Sequence, residues 1–115
     1  MSARRRDNAG RDQRAQALLF FALGDPTRLA LLAKLSRGSS CSIVRLTEGS
    51  ALTRQAVTKH LRVLQHAGLV RAVRRGREQL YRLEPGPIDD AKRALEQISR
   101  QWDAALLRLK AFVEE

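Results

Sequence analysis

Aromatic side chains are scarce in this chain: among 115 residues there are only Phe20, Phe21, Tyr81, Trp102 and Phe112. Readers of single-stranded DNA or RNA stack bases on aromatic platforms, so the scarcity argues against that role. Cysteine occurs once, as Cys41, which excludes an internal disulfide and suits a reducing compartment. The longest uninterrupted apolar run, residues 17–23, is far shorter than the roughly 20 residues that span a bilayer. No apolar segment with a small-residue cleavage site follows the N-terminal arginines, so a cytoplasmic chain is expected. No nucleophile–base–orienter set is visible and no glycine-rich phosphate loop follows a strand. Neither an enzyme nor a cofactor is expected.

Acidic residues are also few. Lys and Arg number 22 against 12 Asp and Glu, giving a net charge of +10 and a pI near 11.3. Such a balance favours an anionic partner, nucleic acid first and an anionic membrane surface second. The charge is concentrated. Residues 53–82 hold Arg54, Lys59, Arg62, Arg71, Arg74, Arg75, Arg77 and Arg82 against Glu78 alone, eight against one, or +7. The same stretch is patterned as an amphipathic helix, a glycine, a short apolar strand, a basic turn and a second strand. A charge run that keeps a fold pattern points to a nucleic-acid-reading surface.

The length suits one domain, short enough that burial against a partner would help it. Residues 1–12 carry no large apolar side chain beyond Met1 and read as a flexible basic arm, with a phosphate- or minor-groove-contacting arm as the functional alternative. The domain proper is expected over residues 13–115. A helix over 13–23 is apolar nearly all round and must be buried, in part against a second subunit. Gly24 closes it; Asp25 and Pro26 form the N-cap and first position of a helix over 26–36, with Leu29, Leu32, Ala33 and Leu35 expected toward the core. A short helix over 42–48 and a Gly49-Ser50 turn precede a helix capped by Thr53 and ended by Gly68. Short helix, glycine turn and longer polar-faced helix make a helix-turn-helix. Strands over 69–73 and 79–83, joined through Arg75-Gly76-Arg77, make a β-hairpin, here a wing. Pro85-Gly86-Pro87 is expected to break the chain before a last helix over 89–113 whose apolar residues recur by threes and fours. The fold class is therefore mainly α with a small β-hairpin, a winged helix-turn-helix.

On a helical wheel Val57, Leu61 and Leu64 fall on one narrow face, the core side. The opposite face carries Gln55, Lys59, Arg62 and His66, flanked by Thr58. Gln can pair bidentately with adenine, Lys and Arg with guanine or phosphate, and a Thr methyl can pack on thymine. Thr53, Arg54, Gln55, Thr58, Lys59 and Arg62 are the candidate contacts of this helix, the early positions best placed for bases. Arg74, Arg75 and Arg77 in the wing are candidates for phosphate or a minor groove. His60 lies nearer the apolar face and reads as a packed or capping side chain.

Residues 22–29 (ALGDPTRL), 53–64 (TRQAVTKHLRVL) and 67–70 (AGLV), with the Gly76 wing and the closing residues 80–83 (LYRL), resemble the ArsR/SmtB family of bacterial transcriptional repressors. The likeness is close over residues 15–83 and looser beyond. It implies a homodimer that binds an inverted-repeat operator in double-stranded DNA through a winged helix-turn-helix. It also implies that the first and last helices form the dimer interface, here Leu18, Leu19, Leu95, Ile98, Trp102, Leu106 and Leu109. Two departures concern metal sensing. The family's thiolate site uses a Cys-x-Cys cluster near the third helix, where this chain has Cys41 followed by Ser42 and Ile43. Its other site uses Asp and His pairs on the last helix, which here has Asp89, Asp90 and Asp103 but no His. No metal site is expected, because one thiolate cannot complete a three- or four-ligand shell. Cys41 reads as a half-buried structural thiol, with a lone redox switch as the alternative. The alternative function is a non-specific architectural DNA-binding protein; a membrane-surface role is disfavoured by the narrow apolar face of the 53–67 helix.

Overall fold

The computed structural model of the chain describes residues 2–38 and 40–114, the side chains of 2–9 and 11 excepted. Its elements are α1 (Ser2–Leu23), α2 (Pro26–Ser36), β1 (Cys41–Ser42), α3 (Ile43–Thr47), α4 (Arg54–His66), β2 (Val70–Arg75), β3 (Glu78–Leu83) and α5 (Pro85–Glu114). The three strands form one antiparallel sheet in the order β1-β3-β2. The core collects Leu19 and Ala22 from α1, Leu31 and Leu35 from α2, Leu46 from α3, and Val57, Leu61 and Leu64 from α4. Leu69, Val70, Tyr81 and Ala91 close it from the sheet and from α5.

Local chemistry explains the element boundaries. The Asp25 carboxylate accepts a hydrogen bond from the Arg28 backbone N–H at 3.0 Å, capping α2 with Pro26 in its first turn. That hydrogen bond, helped by the neighbouring His60 and Arg28 charges, holds the Asp25 carboxyl below the ordinary 3.8. The wing turn is Gly76-Arg77, with Arg75 paired to Glu78 across it. Gly76 has φ +64 and no non-glycine residue among the described residues has positive φ, which fits a tight hairpin turn with glycine at its first central position.

The structure departs from the expected elements in five places. Helix α1 begins at Ser2 rather than at residue 13, so no helix break separates the expected basic arm from the domain. The segment carries Arg4, Arg5, Arg6 and Arg11, good helix formers, and no proline, and lack of apolar side chains does not by itself end a helix. Helix α1 is also only partly buried: Leu19 and Ala22 enter the core, while Leu18 and Phe21 stay exposed. In α2 the core stripe is Arg28, Leu31 and Leu35, whereas Leu29 and Ala33 are exposed and Leu32 is half-buried. Arg28 takes a core position because its guanidinium finds partners there, as set out below. The two-residue strand β1 adds to the hairpin, pairing Cys41 with Tyr81 and Ser42 with Leu80. Finally, Pro85-Gly86-Pro87 opens α5 instead of breaking the chain. First-turn N–H groups lack intrahelical acceptors, so prolines there lose no hydrogen bond.

Only Ala91 and Ala94 of α5 are fully buried. Every described residue from Ser99 onward is exposed. The radius of gyration is 18.3 Å, against about 13 Å for a compact chain of this size. The excess comes from helices that project beyond the core.

Candidate nucleic-acid interface

Helix α4 is defined at both ends. Thr53 Oγ1 accepts from the Ala56 N–H at 3.1 Å, the N-cap interaction. At the other end, Gly68 (φ +81) and Leu69 return their N–H groups to the Gln65 and Leu64 carbonyls, each at 3.0 Å. This is the paired-bond glycine stop that sends the chain directly into β2. Val57, Leu61 and Leu64 are buried to within 1% of their surface, which fixes the rotation of the helix. The C-terminal end of α3 is tied to α2 by Lys34, whose Nζ donates to the Leu46 and Glu48 carbonyls at 3.1 and 3.2 Å.

With the apolar stripe inward, Arg54, Gln55, Lys59, Arg62 and His66 are exposed. Thr58 is half-buried and its hydroxyl donates to the Arg54 carbonyl at 2.7 Å, so the proton is not available to a base. Thr53 is exposed but its oxygen acts as the cap. Arg54, Gln55, Thr58, Lys59 and Arg62 line one groove of about 460 Å³ together with Ile43 and Val44 of α3. Val44 was missed from sequence because an apolar residue in a short helix is assigned to the core by default. The groove contains no acidic side chain.

The wing arginines are all exposed but do not share a face. Side chains alternate along a strand, so Arg74 and Arg75 point to opposite sides of the hairpin. Arg71 shares the side of Arg75 and lies directly opposite Arg82 across the β2–β3 pair. Those two exposed arginines count in the basic stretch of the sequence but not among its candidate contacts; strand register, not composition, brings them together. Arg77 sits in the turn itself.

Of the residues expected at a dimer seam, Leu18, Leu95, Trp102, Leu106 and Leu109 are exposed, Trp102 at 68%. Ile98 is half-buried, and Leu19 is packed in the chain's own core at 6%. Phe21, 64% exposed on α1, was not singled out. Cys41 is half-buried. Among the described residues no group of three or more His, Cys, Asp or Glu is placed to hold a metal ion. Nor is any helix among them long and apolar enough to cross a membrane.

A two-helix unit presenting a cationic amide-bearing face, followed at once by an arginine-rich hairpin, defines a winged helix-turn-helix DNA-binding protein. A helix-turn-helix domain family matches residues 23–73. An uncharacterised HTH-type transcriptional regulator of Bacillus subtilis, YuzN, is 37% identical over 76 residues, covering 61% of this chain and 83% of the relative. The HTH-type transcriptional repressor SmtB of Mycobacterium tuberculosis is 37% identical over 65 residues, 56% of this chain and 47% of the repressor. The solved structure of an ArsR-like transcriptional regulator from Rhodococcus sp. RHA1 superposes with a TM-score of 0.71 at 37% identity, covering 87% of this chain and 93% of that one. The chain belongs to the ArsR/SmtB family of winged helix-turn-helix transcriptional regulators.

Proposed function

We propose that the chain is a sequence-specific transcriptional regulator that binds an inverted-repeat operator as a homodimer and acts as a repressor. The observation that carries the reading is the exposed set Arg54, Gln55, Lys59 and Arg62, held outward by the buried Val57, Leu61 and Leu64. Gln55 and Arg54, early in α4, read base edges; Lys59 and Arg62 add guanine or phosphate contacts. Val44, at the groove wall, packs on a thymine methyl. Arg74, Arg75 and Arg77 hold backbone phosphates beside the groove. The exposed apolar side of α5, from Leu95 through Trp102 to Leu109, supports a second copy as its cover. Repression is the activity of the mycobacterial relative, and an operator overlapping a promoter achieves it by exclusion.

Footprinting on the DNA upstream of the protein's own gene tests this reading. Two protected half-sites one helical turn apart, about 34 Å, are expected. Affinity for that DNA should exceed affinity for random DNA by about a thousandfold or more. Protection of a single half-site without a dyad counts against the dimeric reading. Equal affinity for both DNAs makes the protein architectural instead.

A further inference from the structure

Among the described residues Arg28 is the one charged side chain in the core, 8% exposed, and its three guanidinium nitrogens have three different partners. Nε donates to the Ala22 carbonyl at 2.7 Å and Nη2 to the Phe21 carbonyl at 2.8 Å, so the group closes the C-terminal end of α1. Its carbon centre lies 5.2 Å from the Phe21 ring. Nη1 lies 3.4 Å from Nδ1 of His60, which belongs to α4. Asp25 Oδ2 is 3.7 Å from the same His60 nitrogen.

One nitrogen therefore faces a cationic donor and an anionic acceptor, and the two demand opposite protonation states. Nδ1 accepts from Arg28 only when it carries no proton. In that state its lone pair faces the Asp25 carboxylate without a bond. An Nδ1–H, in the neutral tautomer or the imidazolium, presents a donor to Asp25 instead; the imidazolium, with both nitrogens protonated, cannot revert to accepting from Arg28 and repels it. Asp25 and Arg28 are the charged groups that meet the ring. Among the described residues no hydrogen bond or ion pair joins it to a side chain of α1, α3, α4 or the sheet.

We propose that Arg28 and His60 are positioning residues for the base-reading helix, and that protonation of His60 transfers its Nδ1 from Arg28 to Asp25 and weakens discrimination between operator and other DNA. The inference rests on the reading of α4 given above. Its seat between α1 and α2 sets the angle at which Gln55 and Arg62 meet the groove. A shift there costs base contacts, whereas the added charge raises affinity for all DNA alike.

The test uses a duplex selected by the protein from a random-sequence pool and a scrambled duplex of equal length. The ratio of the two affinities is measured at constant ionic strength from about pH 8 to about pH 5.5, the range in which histidines titrate. In the wild type the ratio should fall at least about fivefold, the low end of ordinary coupling between sites. It should be flat with pH in His60→Gln. A profile unchanged in His60→Gln, or flattened by His66→Gln in its place, overturns the proposal. A second measurement needs no variant: calorimetry in two buffers at about pH 6, within the range in which histidines titrate, should show the wild type taking up fewer protons on binding the selected duplex than on binding the scrambled one. Equal proton exchange with both duplexes overturns it. Gln55→Ala separates the underlying reading. Where it lowers the ratio and pH does not, only the proton linkage fails; where the wild type shows no preference at any pH, the reading of α4 fails as well.

Discussion

Single side chains divide into those that build the reading helix and those that use it. Thr53 builds: its oxygen bonds the Ala56 N–H, and Thr53→Ala should cost about 1 kcal/mol. Thermal unfolding should show this as a midpoint lowered by roughly 4–8 °C, the usual response of a small domain. Gln55 uses: it is exposed, and its amide is free to pair with adenine. Gln55→Ala should leave the unfolding midpoint in place yet relax preference at one base pair by about 1–3 kcal/mol, read from binding to a panel of single-base variants. Unchanged preference would remove Gln55 from the base-reading set. Asp25 is a third case, where pH decides. Its folded pKa is lowered from 3.8, first by the Arg28 backbone N–H and then by the His60 and Arg28 charges. A lowered carboxylate contributes stability above its unfolded value and loses it as pH falls through the folded one. Asn also caps helices but does not titrate, so the wild type should be more stable than Asp25→Asn near neutral pH. Urea unfolding across a pH series should show the gap closing below about pH 3.8.

At the scale of elements, we assign grip to the wing and base reading to α4. Arg75 and Arg77 are exposed and carry no ion pair among the described residues. Replacing either by Ala should weaken binding to operator and random DNA about equally. Each loss should also reduce the slope of log affinity against log salt by about 1.8, because the dimer loses one phosphate contact of about 0.9 in each of its two wings. A base-dependent loss would move that arginine into the reading set. Much of this layout is legible in the sequence, because caps and stops are local. Asp25-Pro26, Thr53 and Gly68 mark helix ends by their own hydrogen-bonding chemistry, and the structure places the ends there. What is not legible depends on tertiary partners. The inward turn of Arg28 requires the α1 carbonyls and His60, distant in sequence or out of helical phase. Strand β1 is two residues long and exists only through its pairing with β3, so no periodicity announces it. The alignment of Arg71 with Arg82, and the separation of Arg74 from Arg75, follow from a register that composition does not contain. The opening of α5 was misread for a simpler reason, since prolines that end a helix at its middle are compatible with its first turn.

For the whole molecule, the question is what covers α5. Leu95, Trp102, Leu106, Leu109 and Phe112 are all exposed, and the chain is more extended than a compact domain of its length. Exposed apolar surface of that extent is what an interface with a partner leaves on a lone chain. Two copies meeting along it bury the same patch on both sides, the arrangement expected of a two-fold dimer. Helix α5 has only two fully buried residues of its own, so a lone chain leaves it weakly anchored. Dimerisation and DNA binding should therefore be linked, because two α4 helices reach two half-sites only when α5 holds them at a fixed distance. Trp102 is the only tryptophan, so its emission reports the seam directly. On dilution from the micromolar range it should shift to longer wavelength as the ring meets water, together with a fall in molecular mass by analytical ultracentrifugation. Leu106→Glu places a charge in the seam and should produce that red-shifted state at high concentration. The variant should also lose the dyad footprint while α4 keeps weak, salt-sensitive affinity for DNA. A Leu106→Glu chain that sediments as a dimer, or a wild type that stays monomeric at high concentration with its dyad footprint intact, would rule out α5 as the element that sets half-site spacing.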